Sequence, residues 1–183
     1  MFLDCGDVIL SKYCFFAIQN QLDNHRVFDI FEWSWIDSAT RLVSEPNETS
    51  TPGKIYRREF LEAYGIYPYH SGPGSYAAED CGFNLSCYSI IEDYKYEEYT
   101  EHMVHFDLPI YKTVVNNNSL TYKDNKEFLY TALPGLVENG IQCVRNCERT
   151  QVHVEITLKQ LNLFFVDIYT YFLRCVARRP ELL

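Results

Sequence analysis

The chain has 183 residues, of which 47% are hydrophobic and 22% are charged, and its formal net charge at pH 7 is -9. This length fits one domain over residues 1–183, and the apolar content is enough for a full core. The negative charge argues against strong non-specific binding of nucleic acid, because proteins that coat a duplex are basic. It does not exclude a nuclease that carries divalent cations, since a bound metal reverses the local charge.

The sequence also bears on the compartment in which the chain works. No apolar stretch reaches the length of a membrane span, and Asp4 and Asp7 interrupt the start of the chain, where a signal peptide would be apolar. The seven cysteines form no pair of CxxC motifs, which argues against a structural zinc site. We therefore expect reduced thiols, no membrane partner and a cytoplasmic protein.

The first half of the chain is predicted to form a helical lobe. Residues 9–43 are predicted to be helical, and residues 44–53 form a loop by composition. A short helix from Arg57 to Tyr64 is expected to end at Gly65, because glycine readily adopts the left-handed conformation that closes a helix. Residues 67–75, rich in proline and glycine, are predicted to form a second loop.

The second half is predicted to alternate strands with helices. Strands are expected at residues 84–88, 89–95, 109–115, 119–122 and 152–156, with a turn at 116–118. Helices are expected at residues 97–106, 125–133 and 157–176, the last with apolar residues at a spacing of three to four. This order predicts an α+β fold with a mixed sheet flanked by helices.

Asp80, Asp93 and Lys95 form the sharpest chemical pattern in the sequence. Asp93 and Lys95 are two residues apart on a predicted strand, so their side chains would point to the same face. Asp80 precedes Asp93 by 13 residues, enough for one strand, a tight turn and the start of the next. Two carboxylates on adjacent strands hold Mg²⁺ or Mn²⁺ through oxygen ligands, and a nearby lysine stabilises the charge that develops during hydrolysis.

The segment around this pattern resembles the cap-snatching endonuclease domain at the N-terminus of the bunyavirus L protein, the RNA polymerase of segmented negative-strand RNA viruses. That family typically carries Pro-Asp, a spacer, and a strand that ends in an (I/V)-(D/E)-x-K-like motif. The residues that match here are Glu79-Asp80 and Ile91-Glu92-Asp93-Tyr94-Lys95. The resemblance covers roughly residues 79–176. It departs from the family pattern in Glu79, which replaces the proline, and in the poor alignment of the first 78 residues.

The resemblance implies a PD-(D/E)xK-like nuclease core with the helical lobe before it. The activity implied is metal-dependent cleavage of single-stranded, capped RNA, in the cytoplasm of a host cell and together with the remainder of a viral polymerase. Asp80 and Asp93 would bind Mn²⁺ or Mg²⁺, helped by the carbonyl of Tyr94. Lys95 would be the catalytic lysine.

The ligands in the first half of the chain are less well determined. Many members of the family carry a metal-binding histidine on an early helix and an acid further along, and His25 and Glu45 have that spacing. Asp37 or Glu59 are the alternative acids. Some members use no histidine, so that option also stays open.

Two other interpretations compete with this one. His102 and His105 have a helical spacing that fits a metal site, although a polar surface explains them as well. A non-enzymatic protein-interaction domain is the main rival function, because the chain is acidic and rich in aromatic residues. In that case Asp80, Asp93 and Lys95 would be scattered surface charges.

Overall fold

The computed structural model describes residues 7–38, 40–49, 51–66, 79–98, 101–114 and 126–178 of the chain. This part is an α+β fold with a mixed, open, five-stranded sheet flanked by helices, which confirms the predicted fold class at that level. The strands are β1 (Val8–Ile9), β2 (Ile30–Ile36), β3 (Val43–Ser44), β4 (Lys54–Tyr56) and β5 (Met103–Lys112). The helices are α1 (Tyr13–Asn24), α2 (Arg58–Tyr64), α3 (Glu79–Glu98), α4 (Lys126–Arg149) and α5 (Val154–Arg178).

Strand β2 is the centre of the sheet. On one side it pairs with β5 in parallel, and β1 pairs with the far edge of β5 in antiparallel orientation. On the other side it pairs with both β3 and β4 in antiparallel orientation, each along a different part of its length. Every residue of β2 from Ile30 to Trp35 is buried, as expected of a strand with neighbours on both sides.

Alternation along β2 separates two apolar cores. Phe31, Trp33 and Trp35 pack with Cys14 and Ile18 of α1 on one side of the sheet, which we call the α1 face. Residues at even positions of β2 point to the opposite side, against α3, which we call the α3 face. Two of these even positions are polar, so the α3 face carries a polar patch next to its core.

Helix α3 is the central helix of the structure. All its residues from Cys81 to Ile91 are buried, because the helix packs against the sheet, α4 and α5. A helix that is enclosed on all sides shows no amphipathic stripe in its sequence. None of the described helices is long and apolar enough to cross a membrane.

The glycine before β4 fixes the start of that strand. Gly53 has φ 76°, in the left-handed region, and a Cβ at this position would clash with the carbonyl oxygen of Trp33. Its own carbonyl accepts the Trp33 amide proton with an N···O distance of 2.7 Å. This close approach places Lys54 opposite the middle of β2.

The predicted helical lobe is wrong for much of the first half of the chain. Within residues 9–43 only α1 is a helix, and β2 lies where the second helix was expected. The segment Phe-Glu-Trp-Ser-Trp of β2 alternates apolar and polar residues, which is the period of a strand. The first half supplies four of the five strands.

Four predicted elements in the second half are also wrong. The two strands expected between residues 84 and 95 form the single helix α3, because a short apolar run does not distinguish a strand from a buried helix. The helix expected at 97–106 overlaps the start of β5. The strand expected at 152–156 is a turn followed by the start of α5.

Other predictions are confirmed. Helix α2 lies where it was expected, and Gly65 follows it with φ 56°. Helix α5 contains the predicted helix 157–176, and α4 begins near the predicted position but continues to Arg149. The thiols of five cysteines are free and buried, namely Cys14, Cys81, Cys87, Cys143 and Cys147. The loop at 67–75, the turn at 116–118 and the strand at 119–122 lie outside the described residues.

Candidate metal centre

A row of three ionisable side chains crosses the sheet on its α3 face. Lys54 of β4 and His105 of β5 both lie directly opposite Glu32 of β2 in the strand register. Residues opposite each other in paired strands point to the same side of the sheet. Lys54 is 0% exposed and Glu32 is 8% exposed, whereas the side chain of His105 is 35% exposed. The row therefore runs from the interior to the surface.

The buried end of the row is closed by α3 and by the loop before β4. Tyr88 of α3 donates a hydrogen bond from its hydroxyl to a carboxylate oxygen of Glu32. The Lys54 ammonium lies 4.7 Å from the centroid of the Tyr88 ring and donates to the carbonyl of Asn47. The π face of the ring stabilises the cation, and the carbonyl replaces water as its acceptor. Tyr88 thus contacts both charged members of the buried end.

A second set of polar contacts holds the loop against α3. Asn84 is fully buried, and its side-chain carbonyl accepts a hydrogen bond from the Tyr56 hydroxyl. Its amide nitrogen donates to the Asp80 carbonyl at 2.7 Å and to Thr51 Oγ1 at 3.3 Å. Asn84 therefore ties the loop and β4 to the first turn of α3.

Burial changes the ionisation of the groups at this end of the row. It lowers the pKa of Lys54 to about 8, against the opposing effect of the Glu32 charge. Burial also raises the pKa of Tyr88 far above its ordinary value, and the neighbouring carboxylate of Glu32 adds to that increase. Tyr88 consequently remains a neutral hydroxyl that donates to Glu32.

The exposed end of the row forms a cluster of metal-ligating groups. His105 Nε2 lies 3.0 Å from Glu45 Oε2 and 3.0 Å from Asp107 Oδ1. One ligand atom from each of the three residues lies within 4.8 Å of the other two. One imidazole nitrogen and two carboxylate oxygens are a ligand set that suits Mn²⁺ or Zn²⁺.

Two polar contacts lie beneath the cluster. His105 Nδ1 faces Glu32 Oε2 at 3.8 Å, on the side of the ring away from the other two carboxylates. Ser34 Oγ donates to Glu45 Oε2 at 3.1 Å. Histidines that bind a metal through one nitrogen commonly turn the other towards a carboxylate, which fixes the ring and raises its basicity. At 3.8 Å the Nδ1···Oε2 contact is longer than a hydrogen bond, and His105 faces carboxylates through both of its ring nitrogens.

Strand β5 is irregular next to Asp107. The strand advances five residues from Phe106 to Tyr111, while β2 advances two from Trp33 to Trp35. The additional residues of β5 form a bulge that begins at Asp107. Bulges re-aim side chains and are frequent next to functional sites.

The predicted joint metal site of Asp80 and Asp93 is wrong. Both residues lie in α3, and 13 residues of helix separate them by about 20 Å, so one ion does not reach both. Asp80 accepts the amide proton of Cys81 at 2.9 Å, near the start of the helix. Asp93 Oδ1 lies 3.0 Å from the amide nitrogen of His153 and 2.8 Å from its ring Nδ1. Asp93 thereby ties α3 to the start of α5.

Lys95 and Tyr94 were predicted to complete this site, and both make other contacts. Lys95 lies on the surface, with its ammonium 3.4 Å from a carboxylate oxygen of Glu101. In a helix, residues two apart point in different directions, so Lys95 does not share a face with the carboxylate two residues earlier. The Tyr94 hydroxyl contacts that of Tyr64, and its ring centroid lies 4.5 Å from that of His102.

The predicted ligands from the first half divide into two groups. Glu45 is in the cluster, whereas the ring of His25 packs against Phe28 and Phe106. Phe106 points to the α1 face, because it follows His105 by one residue in β5. The sheet therefore separates His25 from Glu45.

The alternative residues are also located. Asp37 accepts the amide proton of Thr40 at 3.2 Å in the turn after β2, and Glu59 lies exposed in the first turn of α2. His102 Nδ1 lies 2.8 Å from Asp29 Oδ2. His105 is in the cluster and His102 is not. His105 lies on a strand and not on the predicted helix, and its partners are Glu45 and Asp107.

Sequence reasoning missed most residues of the row and the cluster. Glu32 and Ser34 alternate with the tryptophans of β2, and His105 and Asp107 alternate with apolar residues of β5. This period of two was the available signal, since it puts polar side chains on one face. The buried position of Lys54 left no such pattern, because β4 is only three residues long.

Comparisons with known proteins do not identify a family for this chain. No family model matches it, and neither the curated proteins nor the solved structures give a match.

Proposed function

We propose that the protein is a divalent-metal-dependent hydrolase whose ion is bound by Glu45, His105 and Asp107. The observation that carries this proposal is the placement of His105, with Nε2 between two carboxylates and Nδ1 towards the buried Glu32. Three protein ligands leave coordination positions open for water or substrate, as in catalytic metal sites.

Each residue of the row then has a part in the chemistry. A bound ion lowers the pKa of a coordinated water and polarises the bond that is attacked. Glu32 faces the second nitrogen of the His105 ring and favours this orientation of the ring. Lys54 and Tyr88 keep Glu32 in one position inside the protein. Ser34 orients Glu45 by its hydrogen bond.

As the substrate class we propose phosphodiesters, with single-stranded RNA as the first compound to test. The support for RNA is the sequence resemblance, together with the need of an acidic protein for a cation when it acts on a polyanion. Helix α3 replaces the strand on which the motif of that resemblance depended. The nuclease core, the capped RNA and the role in a viral polymerase therefore stay predictions.

Addition of Mn²⁺ is expected to raise the melting temperature and to permit cleavage of single-stranded RNA. An ion that binds only the folded state stabilises it by mass action, about 2.7 kcal/mol at a hundredfold excess over Kd, and EDTA should reverse the effect. Differential scanning fluorimetry and a gel assay with labelled RNA measure the two effects.

Variants and the response of the wild type to metal separate a metal-dependent hydrolase from a non-enzymatic interaction domain. A matched pair of variants, Asp107→Asn in the cluster and Asp93→Asn outside it, should differ, with only the first losing the response. Stabilisation by Mn²⁺ without cleavage would keep the metal site and remove RNA as substrate. No stabilisation by Mn²⁺ or Zn²⁺ in the wild type would favour the non-enzymatic interaction domain.

A further inference from the structure

Helix α5 has an exposed apolar face. Six large apolar side chains on this side of the helix, each between 46% and 71% exposed, form what we call the α5 stripe. Its members are Val154, Leu158, Phe165, Val166, Tyr169 and Leu173. At 1.5 Å per residue the stripe extends for roughly 28 Å, the length of a full helix contact.

The opposite face of α5 fixes the helix to the rest of the protein. Phe164 is buried and lies so close to Gly140 of α4 that a methyl group there would be 2.8 Å from the ring. Gln160 is also buried on this side. The stripe is therefore the second apolar face of a helix whose first face already packs.

The area of the α5 stripe is large for a monomer. Six half-exposed side chains of this size present on the order of 600 Å² of apolar surface, at the upper limit of the largest patches on monomeric proteins. Each partner of a standard interface buries about 800 Å². The stripe thus supplies most of the area that a stable association needs.

The spacing along the stripe is symmetric. Together with Asn162, its central positions fall at 154, 158, 162, 165, 169 and 173, which gives steps of 4, 4, 3, 4 and 4. The same series read backwards is identical. An antiparallel copy of α5 would therefore place Val154 opposite Leu173, Leu158 opposite Tyr169, and Asn162 opposite Phe165, and the same contacts would repeat on both sides of a two-fold axis.

We infer that the α5 stripe is a homodimer interface, in which two copies of the chain pair their α5 helices in antiparallel orientation. A self-complementary patch is the requirement for a two-fold interface, and the spacing of this stripe meets it. Asn162, the residue of this series with an amide side chain, lies next to the axis. The interface does not depend on the metal centre, because it involves neither the strands nor the loop that carry the ligands.

Sedimentation equilibrium of the intact chain tests this inference. The wild type should assemble into a dimer as its concentration is raised to about 100 µM. Leu158→Lys and Tyr169→Glu should each increase the dissociation constant of the dimer at least about tenfold. The double variant Leu158→Lys/Tyr169→Glu should recover at least about tenfold over either single variant, because antiparallel pairing places the new opposite charges across the interface.

The controls make each result decisive. Val137→Lys changes an exposed valine of α4 outside the stripe and should leave the dimer unchanged. Circular dichroism of the monomeric variants should show the helix content of the wild type, since these side chains are exposed. A wild type that stays monomeric at every concentration would overturn the inference. A double variant weaker than both single variants would also overturn it, because the two new charges would then not meet across the interface.

Discussion

Lys54→Met is expected to lower the free energy of unfolding by about 3 kcal/mol or more, because it leaves a buried carboxylate without its cation. Lys54 is fully buried, and Glu32 lies directly opposite it in the neighbouring strand. After the substitution, Tyr88 still donates to Glu32, but no positive charge remains at this end of the row. Chemical unfolding at pH 7 with urea measures the loss.

The double variant Lys54→Met/Glu32→Gln should be more stable than Lys54→Met alone. Replacement of both charges removes the unpaired carboxylate, and buried pairs replaced together commonly recover much of the stability. Lys159→Met is the matched control, because its ammonium contacts Glu92 at the surface, where an ion pair contributes about 1 kcal/mol or less. A loss of stability in Lys54→Met no greater than in Lys159→Met, or simple additivity of the two core substitutions, would contradict a buried ion pair of Lys54 and Glu32.

His105→Ala is expected to weaken the binding of Mn²⁺ more than about 100-fold. The substitution removes a direct ligand, and loss of an outer partner of a ligand already costs 10–100-fold in affinity. Glu32→Gln should weaken the binding of Mn²⁺ by about 10–100-fold, because Glu32 acts on the ion only through His105. Isothermal titration calorimetry at constant pH measures both affinities.

His102→Ala is the control for this experiment. It removes an imidazole next to the same strand, but its ring is paired with Asp29 and is not in the cluster. Its affinity for Mn²⁺ should equal that of the wild type. Equal affinities of His105→Ala and the wild type would remove the proposed ligand set.

Local signals in the sequence predicted some elements well. Helix α2 was found because Gly65 marks its end, and α5 because apolar residues recur along it at helical spacing. Strand β2 was misassigned although Phe31, Trp33 and Trp35 alternate with polar residues. Aromatic residues at positions 28, 31 and 35 also fit a helical spacing, so the pattern alone is ambiguous. In the structure this segment is a strand that is buried on both faces.

Helix α3 shows why the candidate site was misplaced. Its sequence has no polar face, because almost every residue is enclosed by the sheet and two helices. The carboxylate spacing that indicated two adjacent strands therefore lies along one helix axis. Of the predicted ligands, Glu45 alone lies in the cluster.

The row of Lys54, Glu32 and His105 depends on strand register. These residues are far apart in sequence and meet because β4 and β5 pair with opposite sides of β2. Periodicity predicts which face a side chain occupies, but it does not state which residues of two strands lie opposite each other. The structure was needed to bring the three together.

The most direct test of the metal centre is pulsed electron paramagnetic resonance of the protein loaded with one equivalent of Mn²⁺. Echo modulation reports imidazole nitrogen bound directly to the ion. The wild type and His102→Ala should both show modulation from one histidine nitrogen, and His105→Ala should show none. Bound Mn²⁺ without nitrogen modulation in the wild type, or modulation that persists in His105→Ala, would contradict the proposed site.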